Sequence, residues 1–272
     1  MLLWRISLYS TILLTLASIP FVGFDSAARI LTLGGILVGA YLAVSLLIWL
    51  LLVLICWTIP LDKEYEKPSK GYYKVFNAGY SYLCRLAGAR IHVSGLEKVP
   101  LDKPFLFVSN HRSKFDNMVE SVALRKSVVA FITKPENFKI PIGRHYMKRS
   151  CYLPIDRDNP RVAMGTIIKA SEMIKDGVCS VGVFPEGTRG DGNELLELRP
   201  GCFKIALKAK CPVVVGTIRG TELLHKRFPF RRTDIYFDIV KVISEQELEN
   251  MKTVQIAADV RTLMETSLAK AV

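Results

Sequence analysis

From Ile30 to Ile59 the chain runs thirty residues without a charged side chain. A helix needs roughly 20 apolar residues to cross a bilayer core, so no other stretch restricts the fold as strongly. A second apolar stretch, Ile6 to Val22, precedes it. Its 17 residues lie at the lower limit for a span and are diluted by Ser7, Ser10, Thr11, Thr15 and Ser18. The polar insert Gly23-Phe24-Asp25-Ser26 separates the two stretches. Together they predict an N-terminal hydrophobic helical hairpin. A signal peptide over residues 1–22 is the competing reading. It lacks a small-x-small cleavage site before Asp25, and the longer apolar run follows at once.

Charge divides along the same line. Residues 1–60 carry only Arg5, Asp25 and Arg29, a net of +1, which leaves +11 of the chain's +12 on residues 61–272. Two units are therefore expected: membrane-anchoring helices over 1–60 and a basic domain over 61–272. If both stretches span, the N-terminus and the basic domain share one side. Lys63, Lys67, Lys70 and Lys74 assign that side to the cytoplasm, of the plasma membrane if the chain is bacterial. If the first stretch only dips into one leaflet, its hydroxyls face headgroups or the second helix. Either arrangement makes membrane lipid a partner, because anionic headgroups attract nearby Lys and Arg.

Cys56, Cys84, Cys151, Cys179, Cys202 and Cys211 form no CxxC pair and read as reduced thiols. His92, His111, His145 and His225 show no HExxH or HxxxH spacing, so no metal site is expected. After a polar linker at 61–71, apolar and aromatic residues recur at helical spacing from Tyr72 to Leu86. Short β-branched runs then alternate with helical patterns. Strands are expected at Ile91–Ser94, Phe105–Ser109, Val128–Thr133, Tyr152–Ile155, Val178–Phe184, Val213–Ile218 and Ile235–Ile243. Helices are expected at 114–126, 160–176, 201–209 and 254–269. This alternation predicts an α/β fold, a mixed and largely parallel sheet flanked by helices.

Two clusters sit at predicted strand ends. The run Asn110-His111-Arg112-Ser113-Lys114-Phe115-Asp116 follows Phe105–Ser109 directly, where open α/β sheets place ligands. Asp116, on the first turn of the next helix, can reach back to the His111 imidazole and hold the tautomer that accepts a proton. Equally, Ser113-x-x-Asp116 is a capping box and His111 a loop residue. The second cluster, Phe184-Pro185-Glu186-Gly187-Thr188-Arg189, closes Val178–Phe184 with a turn expected to present Glu186, Thr188 and Arg189 together. Arginine suits a bidentate grip on phosphate, although a solvated surface turn would look the same.

Both clusters together resemble the glycerolipid acyltransferase family, specifically 1-acylglycerol-3-phosphate acyltransferases with their HxxxxD and FPEGTR motifs. Two further blocks agree. Lys134 to Gly143, ending in Ile155-Asp156-Arg157, resembles the family's second motif, and Cys211-Pro212-Val213-Val214-Val215 its fourth. The blocks occur in family order over about residues 75–245. One departure stands out: the family usually has Gly just before the strand that ends in Ile-Asp-Arg, and this chain has Arg149-Ser150-Cys151.

The resemblance implies a glycerol-3-phosphate acyltransferase-like fold, with His111 as general base and Asp116 as its orienting partner. It implies that Arg189 binds the acceptor's phosphate, with Lys134 as helper and Glu186, Gly187 and Thr188 shaping the pocket. The reaction implied moves a fatty acyl group from acyl-CoA or acyl-carrier protein to the sn-2 hydroxyl of lysophosphatidic acid, making phosphatidic acid. No cofactor beyond that co-substrate is needed. Acylation of another lysophospholipid or of glycerol-3-phosphate is the alternative within the class. A non-catalytic basic lipid- or nucleic-acid-binding protein is the alternative outside it. Without an aromatic RNA motif or recognition helix, no nucleic-acid partner is expected. A serine hydrolase fails for want of Gly-x-Ser-x-Gly, and a Rossmann dehydrogenase for want of Gly-x-Gly-x-x-Gly.

Overall fold

The computed structural model describes residues 2–190, 194–228 and 231–270. The two apolar stretches form helices α1 (Leu2–Val22) and α2 (Ala27–Trp57), reversed through a turn at Gly23 and capped by Ser26. At 1.5 Å per residue they measure about 31 and 46 Å, so each is long and apolar enough to cross a membrane. Ser7 approaches Ser45 of α2 at 3.4 Å, whereas Thr11, Thr15 and Ser18 bond carbonyls of their own helix. Those hydroxyls are thus satisfied without water.

The far end of the hairpin is uncovered, with Phe21 90% and Phe24 70% exposed. Its foot rests on α3 (Lys70–Leu86). Ile48 and Leu52 pack with Tyr82, whose hydroxyl donates to Ser45 at 2.9 Å, and the Arg85 guanidinium lies 4.7 Å over the Trp4 ring. Cys56 and Ile59 belong to the main core. The change in charge at residue 60 is therefore not a change in packing.

All seven expected strands form: β1 (Ala89–Ser94), β2 (Leu106–Val108), β3 (Val129–Thr133), β4 (Leu153–Pro154), β5 (Ser180–Val183), β6 (Val213–Arg219) and β7 (Thr233–Ile243). Among the described residues they make one sheet, in the order β1-β7-β6-β2-β5-β3-β4. Every pairing is parallel except β6 with β7. The central strands β2, β5 and β6 are almost continuously apolar and buried, as parallel strands covered on both faces must be. Phe107 stands edge-on to Phe131 and Phe237 across the sheet. Gly182 and Gly216 make room for these rings, since a Cβ would lie 2.7 Å from Phe131 and 2.9 Å from Phe107.

The helices around the sheet are α4 (Asp116–Ala123), α5 (Gly143–Arg149), α6 (Pro160–Lys175), α7 (Lys204–Ala209), α8 (Leu224–Arg227), α9 (Glu245–Leu248) and α10 (Thr253–Ala269). Helix α5 had no sequence signal: Gly and basic residues dominate its seven positions. The chain leaves α5 through Cys151, which holds a left-handed φ of 56°. A left-handed residue other than glycine costs about 1–2 kcal/mol. Where the family usually has glycine, the left-handed turn is thus carried by a residue that strains it.

Candidate active site

Strands β2 and β5 lie side by side with Val108 opposite Val183, so the loops at their carboxyl ends meet. Asn110 ties the β2 loop to β6 as a strand residue would, donating to the Ile218 carbonyl at 2.9 Å and accepting from the Ile218 N–H at 2.8 Å. His111 follows. Its ring stacks on Phe184, centroids 4.1 Å apart and planes 12° from parallel, and its carbonyl accepts from the Gly190 N–H at 3.1 Å.

Asp116 is fully buried, and its carboxylate organises the loop. Oδ2 accepts from the Arg112 and Ser113 amides at 2.6 and 2.7 Å and lies 2.8 Å from His111 Nδ1. Oδ1 accepts from the Thr221 hydroxyl at 2.5 Å. Ser113 Oγ in turn accepts from the Phe115 N–H at 3.3 Å. The His–Asp contact forms, whereas the capping box does not close: Oδ2 takes the Ser113 amide, but α4 begins at Asp116 and the Asp116 N–H donates to the Ser113 carbonyl at 3.3 Å instead of its hydroxyl. A carboxylate at Nδ1 fixes the proton there and leaves Nε2 as the lone-pair acceptor. Nε2 has no hydrogen-bond partner among the described residues, and the imidazole is 21% exposed. Such a ring can take a proton from a bound hydroxyl.

The FPEGTR turn departs from expectation in one respect. Glu186 does not join Thr188 and Arg189 at the surface; it points inward, 4% exposed. Its Oε1 accepts from the His111 amide at 2.7 Å and its Oε2 from Leu196 at 2.8 Å. Amides at the start of an irregular loop need an acceptor, and Glu186 supplies it. Burial raises the Glu186 pKa, opposed by these two amides. Gly187 turns the chain with φ 75°, and a Cβ there would lie 2.7 Å from Arg199 Nε. Thr188 and Arg189 are exposed beside Gly190, whose amide reaches His111. Lys134 is exposed at the end of β3, two strands from β2 and thus about 10 Å along the sheet edge.

Thr221, Glu120, Arg157 and Arg199 drew no role from sequence. Thr221 and Asp116 lie 105 positions apart, beyond any local pattern. Arg157 and Arg199 flank a cavity of about 280 Å³ with Ile155, Phe184 and Gly187. The Arg157 pKa is lowered by burial first and then by the Arg199 charge, so the two guanidinium groups feel each other. Their signal was available, since Arg157 ends the Ile-Asp-Arg block.

Glu120 sits one turn beyond Asp116, fully buried, accepting from the Ser109 hydroxyl at 2.5 Å, with Oε2 unpartnered among the described residues. Burial, then the Asp116 charge, push its pKa well above the usual carboxylate range, against the pull of Ser109. Its folded-state pKa being the higher one, the protonated side chain contributes stability in full below the unfolded value. That contribution is lost as pH rises from there through the folded pKa. Glu120→Gln should remove this slope, at most about 1.4 kcal/mol per pH unit. Urea unfolding of detergent-solubilised protein across pH measures it. Parallel curves for both proteins would mean that Glu120 is ionised in the fold.

Residues 90–219 match the family model described as Acyltransferase. That stretch, just under half of the chain, is similar to the acyltransferase family. Relatives include a chloroplastic 1-acyl-sn-glycerol-3-phosphate acyltransferase of Arabidopsis thaliana, 37% identical over 133 residues, 48% of this chain and 36% of that protein. A 1-acyl-sn-glycerol-3-phosphate acyltransferase of Saccharomyces cerevisiae is 28% identical over 193 residues, 70% of this chain and 63% of its own length. The chain thus spans about a third to two thirds of these relatives. The fold also matches the crystal structure of the 1-acyl-sn-glycerophosphate acyltransferase PlsC from Thermotoga maritima. That likeness has a TM-score of 0.62 at 24% identity and covers 73% of this chain and 79% of the other.

Proposed function

We propose that the chain transfers a fatty acyl group from a thioester, acyl-CoA or acyl-carrier protein, to the sn-2 hydroxyl of 1-acylglycerol-3-phosphate. The product is phosphatidic acid for phospholipid synthesis. The observation that carries this reading is His111 held through Nδ1 by a buried Asp116, with Nε2 unengaged, one loop away from the exposed Arg189. The relatives' names supply the substrate class.

In this reaction Nε2 of His111 takes the sn-2 hydroxyl proton as the oxygen attacks the thioester carbonyl. Asp116 stabilises the imidazolium that forms. The tetrahedral intermediate then collapses, the C–S bond breaks, and Nε2 returns the proton to the leaving sulfur. The reaction as written uses neither a metal nor an acyl-enzyme, since the thioester arrives activated. Arg189 grips the acceptor phosphate with Lys134 as a second cation. Gly187 and Thr188 shape the turn, and Glu186 acts from beneath by holding the His111 amide.

Purified full-length protein supplied with labelled acyl-CoA or acyl-carrier protein, and a panel of lysophospholipids and glycerol-3-phosphate, tests this directly. Lysophosphatidic acid should be acylated fastest. Preference for glycerol-3-phosphate or a headgroup-bearing lysolipid would move the chain to the alternative within its class.

The same reading inserts the hairpin in the membrane with the domain on the cytoplasmic side. Leu13→Asp combined with Val38→Asp, both exposed midway along the hairpin, leaves its foot intact. Each carboxylate costs about 2.5–3.5 kcal/mol at mid-bilayer. The double variant should therefore move from the carbonate-resistant membrane fraction toward the soluble one. Unchanged sedimentation would place the hairpin outside the hydrocarbon.

A further inference from the structure

Strand β1 is a sheet edge with two unlike faces. On one, His92 and Ser94 bond Asp234 and Asp238 of β7. On the other, Ala89, Ile91 and Val93 line a cavity of about 610 Å³, closed by the end of α3 and the last turn of α4. Val93 and Leu96 are 39% exposed there and Leu101 63%. A concave apolar surface of this size falls within the range of ligand pockets, and it is larger than the space beside Arg157. It shares no residue with the candidate active site. Asp116 begins α4 and the cavity meets its end, about 10 Å further along the axis.

The lining carries Arg85, Arg125 and Lys126 against a single acid, Glu97. Arg125 and Lys126 are exposed and form no ion pair among the described residues. Arg85 lies over Trp4, at the start of α1, so the cavity stands at the foot of the hairpin. We infer that this cavity holds an acyl chain of an anionic glycerophospholipid from the surrounding membrane, with the headgroup phosphate on Arg85, Arg125 and Lys126. The site is separate from acyl transfer and rests only on the reading that the hairpin is membrane-inserted. An apolar floor satisfies the chain, a cationic rim satisfies the phosphate, and the bilayer supplies both at the adjoining helix. A second copy of this chain fits poorly, because it would bring another basic domain against a basic rim.

Photolabelling tests the site without an activity readout. Full-length protein is reconstituted in phosphatidylcholine vesicles containing about one tenth phosphatidylglycerol with a diazirine at the acyl terminus, enough anionic lipid to give a surface potential. Mapped peptides should include residues 81–101 and 122–127 as well as α1 and α2. Ala123→Phe, which fills the cavity, should abolish the first two labels and spare those on the hairpin. Arg125→Gln with Lys126→Gln, both on the surface, should lower the cavity label about 25-fold, a factor of roughly five for each cation. A phosphatidylcholine probe should label the cavity several-fold less than the anionic one. Labels confined to α1 and α2, equal labelling by both probes, or no response to either variant would overturn the site. Protein that fails to enter the vesicles at all would instead overturn the membrane reading.

Discussion

His111→Ala should lower turnover by about 10²–10⁴-fold, the contribution typical of a positioned base, without unfolding the protein. The imidazole contributes its stack on Phe184 and one hydrogen bond to Asp116, whereas the loop is held by the backbone amide of His111 on Glu186 and by Asn110 on β6. Alanine keeps both of the latter. Asp116→Asn is the more discriminating partner experiment. The asparagine oxygen can take the place of Oδ2, facing His111 Nδ1 and two amides, while its NH₂ faces the Thr221 hydroxyl, which can accept. The loop then survives and only the negative charge is lost. Turnover should still fall by at least about a hundredfold, because the imidazolium loses its counter-charge. Steady-state kinetics beside thermal melts separate the two roles of Asp116. If the asparagine variant keeps near-normal turnover at unchanged Tm, Asp116 only frames the loop and the general-base mechanism fails.

Arg189→Ala should raise the apparent KM for lysophosphatidic acid much more than that for the acyl donor. A lost charge-assisted contact is worth about 1.5–3 kcal/mol, or roughly 10–150-fold. Arg189→Lys should also impair binding, since lysine keeps the charge and lacks the planar fork that matches phosphate oxygens. Arg189 is exposed on the turn that ends at Gly190, whose amide bonds the His111 carbonyl. A phosphate held there would lie a short glycerol backbone from the sn-2 hydroxyl that His111 has to reach. Kinetics with each substrate varied in turn decide the matter. A rise in donor KM alone would put donor phosphates on Arg189. No change with Arg189, together with a raised acceptor KM in Arg199→Ala, would move the acceptor phosphate to the Arg157 and Arg199 side.

Much of the architecture was legible from residues 1–272 because the signals are local. An uncharged run of thirty residues can satisfy its backbone in lipid only as a helix. Short apolar β-branched runs such as Val213–Ile218 become buried strands wherever they pair. His111 and Glu186 each follow a strand within a few residues, so their place at strand ends is written in their neighbours. Helices α5, α8 and α9 escaped, since short segments without apolar periodicity take shape only against what they pack on.

Tertiary structure alone decided the strand order and everything that depends on it. Placing β5 and β6 on either side of β2 carries Glu186 to the His111 amide from 75 positions away, and Thr221 to Asp116 from 105. No propensity encodes such pairs. They arise because buried amides and carboxylates must find partners once the sheet has closed around them. The same requirement turned Glu186 inward from a motif that read as a surface turn, and let one oxygen of Asp116 serve both the loop amides and the imidazole. The foot of the hairpin follows that logic too: charge changes at residue 60, but Cys56 and Ile59 are apolar and in reach of the core, so packing continues across the line that charge drew.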